Sequence, residues 1–87
     1  LMEGTPENLS SDEIKASLEE AKDVEDVHHI HIWNLDEHRI ALEAHVVVAT
    51  NELQEVEVIK RKLKEILKDR FKITHSTLEF EYFNESK

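Results

Sequence analysis

The chain has 87 residues, including 20 acidic and 11 basic side chains, and its formal net charge is −9. This length fits one small domain, and the acidic balance argues against a nucleic-acid-binding protein, which needs a basic surface. The sequence has no cysteine and only one glycine and one proline, which excludes disulfides, Cys-based metal sites, thiol catalysis and glycine-rich phosphate loops.

The first predicted element is a helix that follows a lead-in over residues 1–9. Ser10 and Glu13 have the spacing of a capping box, in which each side chain accepts a hydrogen bond from the other residue's backbone N–H. Ile14 and the apolar residues that follow it lie on one helical face. We therefore expect a helix over residues 10–22.

Two strands are predicted next. Residues 24–35 are rich in β-branched and aliphatic side chains, and residues 40–49 alternate between apolar and polar side chains. Only the short polar segment 36–38 and Arg39 separate the two runs. The pattern indicates a β-hairpin, although no Asn-Gly pair defines its turn.

A second helix and a third strand complete the pattern. Asn51 is a good N-cap, and apolar residues at a spacing of three or four predict a helix over residues 52–70. Residues 73–83 alternate as a strand, and 84–87 form a tail. The order αββαβ predicts a two-layer α+β domain with a three-stranded sheet, in which the second and third strands are parallel if they are adjacent.

The register of the hairpin decides which histidines meet. With an even loop, Ile30 lies opposite His45 and His28 is its diagonal neighbour, whereas an odd loop places His29 opposite His45. A slip of one residue exchanges the two faces of the strand. We prefer the even register because it buries Trp33.

The histidines are the residues that point to chemistry. Six histidines in 87 residues is more than usual, and imidazole and carboxylate groups suit zinc and other divalent first-row metals. If the third strand lies beside the second, His28, His45 and Glu81 can converge as an N,N,O set with an open fourth position. The secondary candidates for metal ligands are His29, His31, Glu79 and His75.

Catalysis is not expected of this chain. The sequence has no nucleophile-elbow motif, and a two-layer domain of this size is too thin to enclose a substrate. We therefore predict a binding domain rather than an enzyme.

Four segments, in order, resemble the C-terminal cytoplasmic domain of the cation diffusion facilitator (cation efflux) transporters. They are Leu1–Pro6 (LMEGTP), Val27–Trp33 (VHHIHIW), Ala44–Val46 (AHV) and His75–Glu81 (HSTLEFE). The resemblance implies a ferredoxin-like, metallochaperone-like fold. It also implies a homodimer that binds divalent cations, most of all zinc, and regulates transport.

The resemblance also assigns places in the chain. Residues 1–9 would lead in from a transmembrane domain of bacterial inner-membrane type, and residues 10–83 would form the cytoplasmic regulatory domain. His28, His45 and Glu81 fall on residues that ligate metal in several members of the family. His29 stands where the family usually has Asp, so it either adds a ligand or replaces an outer carboxylate.

A second interpretation stays open. The same domain could serve as a structural dimerisation module of the transporter, with histidines that bind no metal at physiological concentrations. The sequence favours the metal-sensing interpretation and does not identify the cation, because the same ligands accept several divalent metals.

Overall fold

A computed structural model describes residues 9–82 and has the predicted αββαβ order. Most of the predicted lead-in, together with Phe83 and the predicted tail, lies outside these residues. Within 9–82, no helix has the length and apolar character needed to cross a bilayer. The elements are α1 (Ser11–Glu19), β1 (Val24–Asn34), β2 (Ile40–Val48), α2 (Leu53–Phe71) and β3 (His75–Tyr82).

The two helices begin in different ways. Ser10 caps α1 as predicted, because its side-chain oxygen accepts a hydrogen bond from the backbone N–H of Glu13 at 3.3 Å. The cap of α2 is Glu52, so the prediction of Asn51 was wrong by one position. The hydroxyl of Thr50 accepts a hydrogen bond from the Glu52 N–H at 3.2 Å, which favours the later start.

Both helices pack against the same face of the sheet. Ile14 and Leu18 of α1 and Leu63 and Leu67 of α2 are all 0% exposed. Burying an aliphatic side chain of this size contributes about 1.5–3 kcal/mol, so this layer holds the fold together. The strand residues buried against the helices are Val27, Ile32, Leu42, Ala44, Val46 and Val48.

The central strand of the sheet is β2. It pairs with β1 in antiparallel fashion and with β3 in parallel fashion, as predicted for adjacent strands. In the parallel pair, His45 is the partner of Glu79 and Val47 is the partner of Glu81. The topology therefore places the candidate carboxylates of β3 next to the candidate histidines of the hairpin.

A β-bulge interrupts the hairpin, and the preferred even register was wrong. Near the turn, Trp33 pairs with Ala41, whereas beyond the bulge His28 pairs with His45. Between these two pairs, β1 has one residue more than β2. This extra residue lets Val27 and Ile32 both be buried although they are five positions apart. In a regular strand, residues an odd number apart face opposite sides.

The register also changes the position of Trp33. We expected this residue in the core, but it is half-buried and lies on the other face, with its ring 4.9 Å from that of His31. Ile32, the residue before Trp33, takes the core position and pairs with Leu42.

The face opposite the helices is called here the open face. It carries side chains of alternating residues from all three strands, with acidic groups and imidazoles beside apolar groups. Its residues include His28, His31, Trp33, Glu43, His45, Val47, Thr77, Glu79 and Glu81.

Lys15 on α1 forms hydrogen bonds with the part of β1 that directly precedes His28. Its ammonium donates hydrogen bonds to Glu19 Oε2 at 2.8 Å, to Asp26 Oδ1 at 2.9 Å and to the Val27 carbonyl at 2.6 Å. Hydrogen bonds to Glu19 and Asp26 raise the pKa of Lys15 above its usual value, and the bond from Lys15 lowers the pKa of Asp26.

These contacts predict the effect of Lys15→Met. The Lys15 side chain is 41% exposed, so screening limits the loss of stability to about 1 kcal/mol at pH 7. The contribution of Asp26 is present above its unfolded pKa and is lost as the pH falls through its lowered folded pKa. Urea unfolding should therefore separate the variant from the parent at pH 7, and the difference should shrink as the pH falls below the usual pKa of an Asp carboxyl group.

The matched control for this prediction is Lys62→Met, which removes the same charge from an exposed position on α2. If both variants unfold at the same urea concentration at pH 7, Lys15 does not stabilise the junction between α1 and β1.

Candidate metal centre

Two histidines face each other across the hairpin because of the bulge. His28 on β1 is the direct partner of His45 on β2, and their ring centroids are 5.2 Å apart. Neither the even nor the odd register of a regular hairpin pairs His28 with His45. The pair lies on the open face, where both side chains are about one-third exposed, at 32% and 30%.

Glu81 on β3 joins both histidines. The Nε2 atom of His28 lies 3.2 Å from Glu81 Oε1, and the Nδ1 atom of His45 lies 2.7 Å from Glu81 Oε2. These hydrogen bonds, from His45 first and then from His28, lower the pKa of the Glu81 carboxyl group. The structure thus brings together the three residues that the sequence placed first.

His29 is the fourth member of the cluster. Its Nδ1 atom lies 2.6 Å from Nδ1 of His28, and its ring centroid is 5.0 Å from that of His45. One ring nitrogen from each of these three histidines lies within 4.8 Å of the other two. Sequence reasoning ranked His29 as secondary, because it did not anticipate the bulge.

The other secondary candidates lie at the margin of this cluster or outside it. Glu79 is at its margin, with Oε1 3.6 Å from Nε2 of His45. His31 lies beyond the bulge, where it contacts Trp33. His75 begins β3 and pairs with Ala41, four residues before His45 in the ladder, so it is not brought to the cluster.

The chemistry of the cluster fits a divalent cation. It offers imidazole nitrogens and carboxylate oxygens, which are the ligands of zinc and of related first-row metals in cysteine-free sites. All three strands and the bulge set the positions of these donors, so binding needs side-chain rotation rather than refolding. The residues that would hold the ion are His28, His45 and Glu81, with His29 in reach.

Comparison with known proteins connects this geometry with a family. A family profile described as "Cation efflux protein, cytoplasmic domain" matches residues 6–83. The metal cation efflux system protein CzcD of Cupriavidus metallidurans is 37% identical over 81 residues, which is 93% of this chain and 25% of that protein. The cadmium, cobalt and zinc/H(+)-K(+) antiporter of Bacillus subtilis is also 37% identical, over 93% of this chain and 26% of its own length.

Solved structures agree with the fold. The metal-bound C-terminal domain of the CzcD transporter from Cupriavidus metallidurans superposes with a TM-score of 0.72 at 36% identity, covering 84% of this chain and 99% of that one. A MamM C-terminal domain (H285A variant) has a TM-score of 0.74 at 14% identity over 85% of this chain and 94% of that one, which supports the fold alone.

The resemblance seen in the sequence is thereby confirmed, and so is the metallochaperone-like α+β fold. This chain spans about a quarter of the length of the curated relatives it matches. The chain belongs to the family of cytoplasmic domains of cation efflux proteins.

Proposed function

We propose that this chain is the cytoplasmic metal-sensing and dimerisation domain of a divalent-cation efflux transporter, and that zinc is the cation it binds. The observation that supports the proposal best is the convergence of His28, His45 and Glu81 on the open face. Each comes from a different strand, so the cluster exists only in the folded domain.

Zinc is favoured by the donors and by the relatives. Imidazole nitrogens bind zinc, cobalt and nickel better than they bind magnesium or calcium, which prefer oxygen ligands. The names of the relatives specify cadmium, cobalt and zinc for the Bacillus subtilis antiporter and zinc for a human proton-coupled antiporter that is 31% identical over 93% of this chain. A bound cation would supply positive charge to a chain whose net charge is −9.

The open face suits a second copy of the chain. It combines the half-buried apolar groups of Trp33 and Val47 with the imidazoles and carboxylates of the cluster. Two subunits of net charge −9 repel each other, and a cation bound at the acidic face reduces that repulsion. A cation that binds the compact dimer better than the open one shifts the population towards the compact form.

This proposal predicts a homodimer that becomes more compact with zinc. Analytical ultracentrifugation at tens of micromolar should give the mass of two chains, and small-angle scattering should show a smaller radius of gyration after zinc is added. A chain that stays monomeric with and without zinc contradicts the dimerisation part of the proposal.

The second candidate function is a structural dimerisation module without a physiological metal. The hydrogen bonds of Glu81 to both histidines favour this alternative, since they give both oxygens of this carboxylate a partner without a cation. A calorimetric titration with zinc separates the two candidates. Saturable binding of one ion per chain supports the sensing domain, whereas a dimer that shows no saturable zinc binding supports the structural module.

A further inference from the structure

We propose that His29 is a direct ligand of the cation, and that the β-bulge makes it one. The inference rests on the proposed function, since it concerns the same cluster. It gives this chain a set of three imidazoles, from His28, His29 and His45, in place of two imidazoles and a carboxylate.

The contacts of His28 support this assignment. Its Nε2 faces Glu81 Oε1 at 3.2 Å, while its Nδ1 faces Nδ1 of His29 at 2.6 Å. Two imidazole nitrogens this close must share one hydrogen atom, because two facing lone pairs would repel each other. A cation can take the place of this hydrogen and accept the lone pairs of both nitrogens, because neutral imidazoles are good ligands for zinc.

Glu81 then acts as a positioning residue. It accepts hydrogen bonds from Nε2 of His28 and from Nδ1 of His45, so the ring nitrogens that do not contact Glu81 are Nδ1 of His28 and Nε2 of His45. Metal-ligating histidines usually donate their other N–H group to a carboxylate or a carbonyl in this way, which fixes the tautomer and the ring orientation. The cluster therefore has the donor set of a histidine site with an outer carboxylate.

The backbone explains why His29 can reach the cluster. Its φ of 55° lies in the left-handed region, which is unfavourable for a residue with a Cβ atom. The register shift between His28 and His31 marks His29 as part of the bulge. In a regular strand, His28 and His29 would face opposite sides of the sheet, so the bulge is what allows both rings to meet.

The imidazole of His29, as a third nitrogen ligand, should affect which metal the site prefers. Nitrogen-rich sites favour zinc, cobalt and nickel over manganese, whereas carboxylates suit manganese and magnesium. His29 is therefore a specificity-determining residue of the site. His29→Asp should shift the preference from zinc towards manganese.

The first test compares metal affinities of two variants that remove the ring. Asn tolerates the left-handed conformation, so His29→Asn keeps the bulge and removes the imidazole. Deletion of His29 removes the extra residue as well, and the stretch from Val27 to Ile32 then alternates regularly with both of these residues facing the core. The control is His38→Asn, in the exposed turn, where the side chain is 87% exposed.

By competition titration, His29→Asn and the deletion should each lower zinc affinity at least tenfold and change manganese affinity less than threefold. The control should remain within twofold of the parent. Thermal unfolding without metal shows whether each variant is folded. Zinc affinity of folded His29→Asn within twofold of the parent would overturn the inference.

The second test identifies the ligating atoms directly. In the ¹⁵N-labelled chain loaded with ¹¹³Cd, one-bond coupling to the metal is expected at Nδ1 of both His28 and His29. Cadmium coupling at His28 and His45 but not at His29 would overturn the inference and leave the proposed function intact. If no histidine of the cluster couples to cadmium, both the inference and the proposed function fail.

Discussion

His45→Ala is expected to lower the affinity of the chain for zinc by well over tenfold. His45 lies on the central strand and contacts both sides of the cluster, with Nδ1 2.7 Å from Glu81 and its ring 5.0 Å from that of His29. Loss of a residue that only orients a ligand already costs about 10–100-fold in metal affinity, so loss of a ligand should cost at least as much. Isothermal titration calorimetry with zinc measures the change.

His38→Ala is the matched control for this prediction. It also removes one imidazole, but from the turn between β1 and β2, where the side chain is 87% exposed. The control should bind zinc like the parent. Equal zinc affinity in the parent, His38→Ala and His45→Ala would remove His45 from the site.

Zinc should also stabilise the fold strongly. A ligand that binds only the native state at a free concentration of 100 times its Kd adds about 2.7 kcal/mol to the free energy of unfolding. In a domain of this size, each kcal/mol shifts Tm by about 4–8 °C, so zinc should raise Tm by about 10–20 °C. Since the cluster joins all three strands, it is assembled only in the native state.

Differential scanning calorimetry with zinc and then with a chelator tests this effect. The chelator should return Tm to its metal-free value, and His45→Ala should show little increase at the same zinc concentration. A rise in Tm that His45→Ala retains in full would place the stabilising ion elsewhere on the chain.

Most of the fold follows from local sequence patterns. The apolar spacing of α2, the alternation of β2 and β3 and the cap at Ser10 each specify an element through contacts between near neighbours. The parallel pairing of β2 and β3 follows from the helix between them, which carries the chain back to the same end of the sheet. The same pairing allowed the sequence to predict that Glu81 lies near His45.

The bulge could not be located from propensity, because no glycine or Asn-Gly pair marks it. His29 adopts a φ of 55° at a position where no glycine favours it. One signal was available, since Val27 and Ile32 are both apolar and lie an odd number of positions apart. If both are placed in the core, an extra residue must lie between them.

The error about Trp33 has a related cause. The even register was preferred because it buries Trp33, but Ile32 and Leu42 fill that layer, and Trp33 lies on the open face. Aromatic side chains are enriched in contact surfaces as well as in cores. The choice between the two positions depended on a register that the turn sequence did not define.

Anomalous diffraction at the zinc edge, from crystals of the chain grown with zinc, tests the central claim most directly. The proposed site predicts one strong anomalous peak per chain among the rings of His28, His29 and His45 and the carboxylate of Glu81. Crystals with no anomalous peak at this cluster, or with zinc only at other positions, would contradict it.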